Sequence, residues 1–124
     1  MDPLKLEATI DTPSVTLDKT TGVFEMAGKS YPEDTKEFFG SILAWMDLYV
    51  ADPNTDTNFN FKLKYFNSSS YKPLFDILQK LDKIQKKGLH VNVNWFYKTG
   101  DTDMLEAGEE FKDLFSLHFT FTSY

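Results

Sequence analysis

Three consecutive serines, Ser68, Ser69 and Ser70, follow the aromatic pair Tyr65 and Phe66 and the single Asn67, and precede an amphipathic run that contains Pro73. Hydroxyls at such a place can do two kinds of chemistry. One caps a helix by accepting a free backbone N–H. The other accepts a phosphoryl group, which brings about -1.5 to -2 charges and three acceptor oxygens. A helix start stabilises that anion through its unpaired N–H groups and positive dipole end, and Lys62, Lys64 and Lys72 are close in sequence to it. Pro73 lacks an N–H and is most comfortable in the first helical turn. A cap at Ser70 makes Pro73 the third helical residue, whereas a cap at Ser68 makes it the fifth, so Ser70 is the expected cap. Ser68 and Ser69 then remain in the loop, where the residues alone favour an ordinary polar turn over a modified site.

Other chemistry has less support. His90 and His118 fall in strand patterns without a ligand partner at metal spacing, and read as structural residues. The absence of cysteine removes disulfides, thiolate nucleophiles and Cys-based zinc sites. No GxGxxG or GxxxxGK[ST] motif offers a nucleotide cradle. The run DTDMLEAGEE, residues 101–110, holds Asp101, Asp103, Glu106, Glu109 and Glu110 but lacks the offsets of a calcium loop. It reads as a capped, solvated helix start, with a docking surface for a basic partner as its functional reading and a cation-dependent enzyme as the remoter one. No catalytic or metal residue, and no cofactor, is assigned.

The elements that must position these residues are legible in outline. A chain of 124 residues fits one domain, 1–124, able to bury about two thirds of its unfolded surface. The net charge of -6 opposes non-specific nucleic-acid binding, and all 13 basic residues are lysines, which excludes the bidentate guanidinium fork. The stretch MDPLKLEATI lacks a basic segment followed by a long apolar run, and no apolar run has membrane-spanning length, so no export signal is expected and a cytoplasmic protein without a membrane partner is anticipated. Charge is uneven: residues 62–87 hold seven lysines against Asp76 and Asp82, locally +5. Such asymmetry either steers a partner or is a solvated basic helix face.

Alternating apolar residues predict strands at about 4–10, 14–18 and 23–29, with turns at Asp11-Thr12-Pro13 and Lys19-Thr20-Thr21-Gly22. Asp34 and Glu37 have capping-box spacing ahead of a helix bearing Phe38, Phe39, Ile42, Trp45, Met46 and Tyr49. A strand through Phe59, Phe61, Leu63 and Tyr65, a helix over 71–87 and a strand from Leu89 to Trp95 form one parallel unit with a right-handed crossover. A helix at about 103–115, capped by Asp103 with Glu106, and a last strand through Leu117, Phe119 and Phe121 complete the chain. The expected class is α/β (α+β): a single mixed sheet of about six strands with three helices, in the order βββαβαβαβ.

The segments LEATIDTPSV (6–15), GKSYPEDTKEFF (28–39), YFNSSS (65–70) and DTDMLEAGEEF (101–111) together resemble the SiaC family of bacterial regulatory phosphoproteins, in order and over nearly the whole chain. The resemblance implies a non-enzymatic switch, STAS-like in part, phosphorylated on the hydroxyl residue directly after Tyr-Phe-Asn. That residue is Ser68, where the family often has threonine. The implied partners are a cognate serine/threonine kinase of the histidine-kinase-like ATPase type, a PP2C-type phosphatase and an effector such as a diguanylate cyclase, activated by the unphosphorylated form in c-di-GMP and biofilm control. Asn67, Ser69, Ser70 and Lys72 are then the expected partner-binding neighbours. The alternative within the same logic is an anti-sigma-factor antagonist in a partner-switching module.

Overall fold

The computed structural model describes residues 1–124. Its elements are β1 (Leu4–Leu6), β2 (Ser14–Asp18), β3 (Val23–Ser30), α1 (Thr35–Ala51), β4 (Asp56–Phe66), α2 (Ser68–Lys86), β5 (His90–Tyr97), α3 (Thr102–Leu114) and β6 (His118–Ser123). The expected element order and single mixed sheet are both present, and the strands lie side by side in sequence order from β1 to β6. The pairs β1–β2 and β2–β3 are antiparallel, and those from β3 to β6 are parallel.

Period-two alternation decides what each sheet face carries. Phe24, Phe59, Val93 and Phe119 share one row across four strands, and Met26, Phe61, Trp95 and Phe121 share the next. Most of these side chains are buried with Phe39, Ile42, Met46 and Tyr49 of α1 and Leu74, Ile77, Leu78 and Leu81 of α2 in one continuous core. Each parallel crossover steps to the next strand in the same direction, so the right-handed rule puts all three helices on one face. The other face is open and polar. Its row Glu25, Asn60, Asn94 and Thr120 is laced by Asn94 Nδ2 donating to Asn60 Oδ1 at 2.8 Å and Asn92 Nδ2 to Asn94 Oδ1 at 2.7 Å.

Several boundaries differ from the sequence expectation. β1 ends at Leu6 rather than near residue 10, because Thr9, Asp11 and Thr12 close a turn through the Thr9 hydroxyl, leaving Ile10 85% exposed. Asp34 caps α1 as its spacing predicts, accepting from Glu37 N–H at 3.0 Å. α3 is capped by Asp101, which accepts from Met104 N–H at 3.0 Å, and not by Asp103. Gly100, at φ +91°, turns the chain so early that Asp103 falls inside the first turn, where an acid still complements the dipole. α2 begins at Ser68, three residues before the expected start.

Candidate functional site at the strand-to-helix junction

Parallel strands followed by helices bring all three helix N-termini to the rim where β3, β4 and β5 end, the rim where open α/β sheets place their functional groups. Ser68 stands there, two residues beyond the end of β4. Asn67, not Ser70, is the cap of α2. Its N–H extends the β3–β4 ladder by donating to Ser30 O at 3.0 Å, and its side-chain oxygen accepts from Ser70 N–H at 3.1 Å. Pro73 is consequently the sixth helical residue. The intrahelical bond it forgoes is the one to the carbonyl of Ser69, an exposed residue at the helix start.

The three serines have different surroundings. Ser70 is fully buried, with its hydroxyl 2.8 Å from Asn67 Oδ1, 3.1 Å from Ser30 O and 2.9 Å from Ser30 Oγ. A hydroxyl has a single proton, so Ser70 donates to one of the two carbonyl oxygens and accepts from Ser30. It supports the junction from beneath, and the expectation that it faces a partner is corrected by its burial. Ser69 is exposed, but its hydroxyl donates to Asn67 Oδ1 at 3.0 Å and accepts from Thr35 at 3.1 Å, tying the start of α2 to that of α1. Ser68 is exposed, and its hydroxyl takes part in none of these bonds.

The lysines are less available than their sequence positions suggest. Lys72 is exposed and paired with Asp76, its ammonium 5.4 Å from the Phe75 ring centroid. Lys62 lies on the open sheet face, 2.9 Å from Glu25 and 5.0 Å from the centre of the Phe96 ring. Lys80 pairs with Asp47 at 2.6 Å and Lys86 with Asp82 at 2.9 Å, so four of the seven lysines are paired with carboxylates, two of them from outside the segment. Lys64 is exposed and makes no ion pair.

α3 flanks the junction on its other side. Tyr71 stacks on Phe111 with ring centroids 4.9 Å apart, and Trp95 Nε1 donates to Met104 O at 2.9 Å. Asp103, Glu106, Glu109 and Glu110 are exposed along the helix, and no three acidic or histidine side chains converge. His90 opens β5 at the opposite rim, 3.8 Å from Asp56, and His118 is exposed at the start of β6. Sequence reasoning missed Ser30, Thr35 and the exposed tyrosines of this rim, Tyr31, Tyr65 and Tyr71. Ser30 shares the parity of Phe24 and Met26, which was the available sign of its burial; the tyrosines are interleaved with core aromatics and carry no separate signal.

The fold and the site define a small single-sheet α/β protein with an unengaged serine at a helix start. The family model for SiaC family regulatory phosphoproteins matches residues 6–124, and the chain belongs to that family. It is 32% identical to the uncharacterized protein PA14_02130 of Pseudomonas aeruginosa (strain UCBPP-PA14), over 100% of this chain and 98% of that one. Among solved structures it is similar to SiaC of Pseudomonas aeruginosa, with 31% identity, a TM-score of 0.91 and full coverage of both chains. It is likewise similar, at 31% identity and TM-score 0.91 over 98% of this chain and 99% of that one, to a chain in the crystal structure of the diguanylate cyclase SiaD in complex with its activator SiaC from the same organism. No helix is long and apolar enough to cross a membrane.

Proposed function

We propose that this chain is a non-enzymatic, cytoplasmic switch whose phosphoacceptor is Ser68 and whose unphosphorylated form binds and activates a diguanylate cyclase. The observation that carries the site is the division of labour among the serines. Ser70 is buried and Ser69 is held between Asn67 and Thr35, whereas Ser68 presents a free hydroxyl at the first position of α2. A kinase can take that hydroxyl without breaking the cap. A serine/threonine kinase and a PP2C-type phosphatase write and erase the mark.

The docking face comprises Ser68 with Asn67, Ser69 and Lys72 and the exposed Tyr31, Tyr65 and Tyr71 around them. Tyrosines suit this role because they offer large apolar area with a polar tip. A dianion placed among them must be desolvated on binding and meets few free cations, so it opposes association. The solved cyclase complex of a similar chain supports a cyclase over an anti-sigma factor as the effector. The experiment is a titration of the cognate cyclase with the parent, Ser68→Ala and Ser68→Asp chains, reading both binding and c-di-GMP formation. The parent and Ser68→Ala activate and Ser68→Asp does not; equal activation by Ser68→Asp refutes the proposal.

A further inference from the structure

On the open face of the sheet Ala27 pairs with Lys62 and Phe96 with Thr122, and the Lys62 ammonium, 5.0 Å from the centre of the Phe96 ring, joins the two pairs into one row. Phe96 thus puts an aromatic surface into a largely polar face. Just beyond this row the β3–β4 ladder is irregular. Its register passes from Gly28–Leu63 to Lys29–Tyr65, so Lys64 is the extra, unpaired residue of a bulge. Bulges re-aim side chains beside functional sites, and Gly28, at φ +114°, takes a backbone conformation that a side chain would strain. Across the sheet Tyr124 N–H donates to Tyr97 O at 3.0 Å and Tyr124 O accepts from Thr99 N–H at 2.8 Å, which fixes Tyr124 beside the end of β5.

Two hollows meet at this corner. One, of about 400 Å³, has Gly28, Phe96 and Tyr124 in its lining with Lys62 and Lys64 beside them. The other, of about 330 Å³, lies among Lys64, Lys98, Asp101 and Tyr124. Each has the size that holds a small molecule, about 300–1,000 Å³. They share Lys64 and Tyr124, and so form one cleft with an apolar half and a charged half. Three lysines against one carboxylate line it, in a chain that holds 13 lysines against 19 carboxylates. Lys62 is already paired with Glu25 and Asp101 is held by Met104 N–H as the α3 cap, whereas Lys64 and Lys98 make no ion pair. We infer that this cleft binds a small aromatic phosphate, the chemistry of a nucleotide, with the ring on Phe96 and Tyr124 and the phosphate between the ammonium groups of Lys64 and Lys98. A neutral aromatic leaves both ammonium groups unmatched, and phosphate alone leaves the apolar half empty. Lys62, Lys64 and Phe96 belong to strands paired on both sides, so the cleft offers no free edge to an extended peptide.

Lys64 and Lys98 are exposed and unpaired, so truncating them leaves the fold intact. The test is a titration of the isotopically labelled chain with adenosine monophosphate, followed by amide NMR signals. Those of Gly28, Lys64, Phe96 and Lys98 are expected to shift together and saturate, and adenosine and inorganic phosphate are each expected to bind about tenfold or more weakly. A Lys64→Ala, Lys98→Ala double variant is expected to lose about tenfold in affinity for the nucleotide, and Phe96→Leu, which removes the ring, several-fold. A Lys36→Ala, Lys83→Ala variant removes the same charge from exposed positions outside the cleft and is expected to bind as the parent does. Cleft signals that never saturate overturn the proposal, as does binding that the changes at Lys64 and Lys98, or at Phe96, leave intact. Inorganic phosphate that matches the nucleotide overturns it equally, because the cleft then holds an adventitious ion only.

Discussion

Ser68, Ser69 and Ser70 are chemically identical, and their neighbours make them different. Asn67 Oδ1 accepts from Ser70 N–H and the Ser69 hydroxyl and lies 2.8 Å from the Ser70 hydroxyl, which it shares as an acceptor with Ser30 O, so it is the residue on which the junction depends. Asn67→Ala is expected to cost about 1–2 kcal/mol in urea unfolding, a lost cap together with hydroxyls left short of an acceptor. Ser68→Ala, which removes no contact, should fall within about 0.5 kcal/mol of the parent. The sequence pointed to Ser68 through the family pattern, and the structure leaves that serine exposed, but it pointed to the wrong residue for the cap. The error lay in treating Pro73 as confined to the first turn, when the carbonyl it leaves without a donor belongs to an exposed residue at the helix start. Nothing in the local spacing disclosed that Ser30, forty residues away, would take the hydroxyl of Ser70 into the core.

Among the elements, α3 shows most plainly how a family motif can be a packing requirement. A Cβ on Gly108 would lie 2.6 Å from Trp95 Cδ1 and 2.8 Å from Phe121 Cε1, so α3 can approach β5 and β6 this closely only with glycine there. Helix propensity favours alanine by up to about 1 kcal/mol, but overpacking costs about 1–3 kcal/mol. Gly108→Ala is therefore expected to lower stability, and a raised melting temperature would contradict the packing. The β2–β3 turn supplies a pH-dependent counterpart. Asp18 accepts from Thr20 and Thr21 N–H at 3.0 and 3.3 Å, and the Thr21 backbone bond above all holds its carboxyl below the usual range. A lowered folded pKa gives stability that is present above the unfolded value of about 3.9 and lost as pH falls through the folded one. Replacing the ionisable group in Asp18→Asn should flatten that acid limb of the stability curve. Strand and helix identities were legible from periodicity, while their ends were set by Thr9, Asn67 and Gly100, whose turns and caps compete with the apolar pattern.

The whole molecule is a sheet with helices on one face, a polar ladder on the other and the proposed phosphoacceptor on the rim between them. The sequence carried the parallel unit from β4 to β5 but not the lateral order of the six strands, since alternation fixes which face a residue takes and not which strand lies beside it. Nor did it disclose that the basic stretch is partly offset by Glu25, Asp47, Asp76 and Asp82, because two of those partners are distant along the chain. Charge at Ser68 is expected to act on association and not on folding: an acid at a helix start is favourable by about 0.3–1 kcal/mol. Ser68→Asp should thus melt no lower than the parent while losing its effector, whereas a variant that loses both would make the switch an unfolding event.

The central claim, that Ser68 alone receives the phosphoryl group, is tested most directly by mapping the product of the cognate kinase and ATP. Pro73 blocks tryptic cleavage after Lys72, so residues 65–80 leave as one peptide holding all three serines, and fragmentation within it separates them. One phosphoryl group per chain, located on Ser68 and absent from Ser68→Ala, is the predicted result. A phosphoryl group on Ser69, or one that persists in Ser68→Ala, would contradict it.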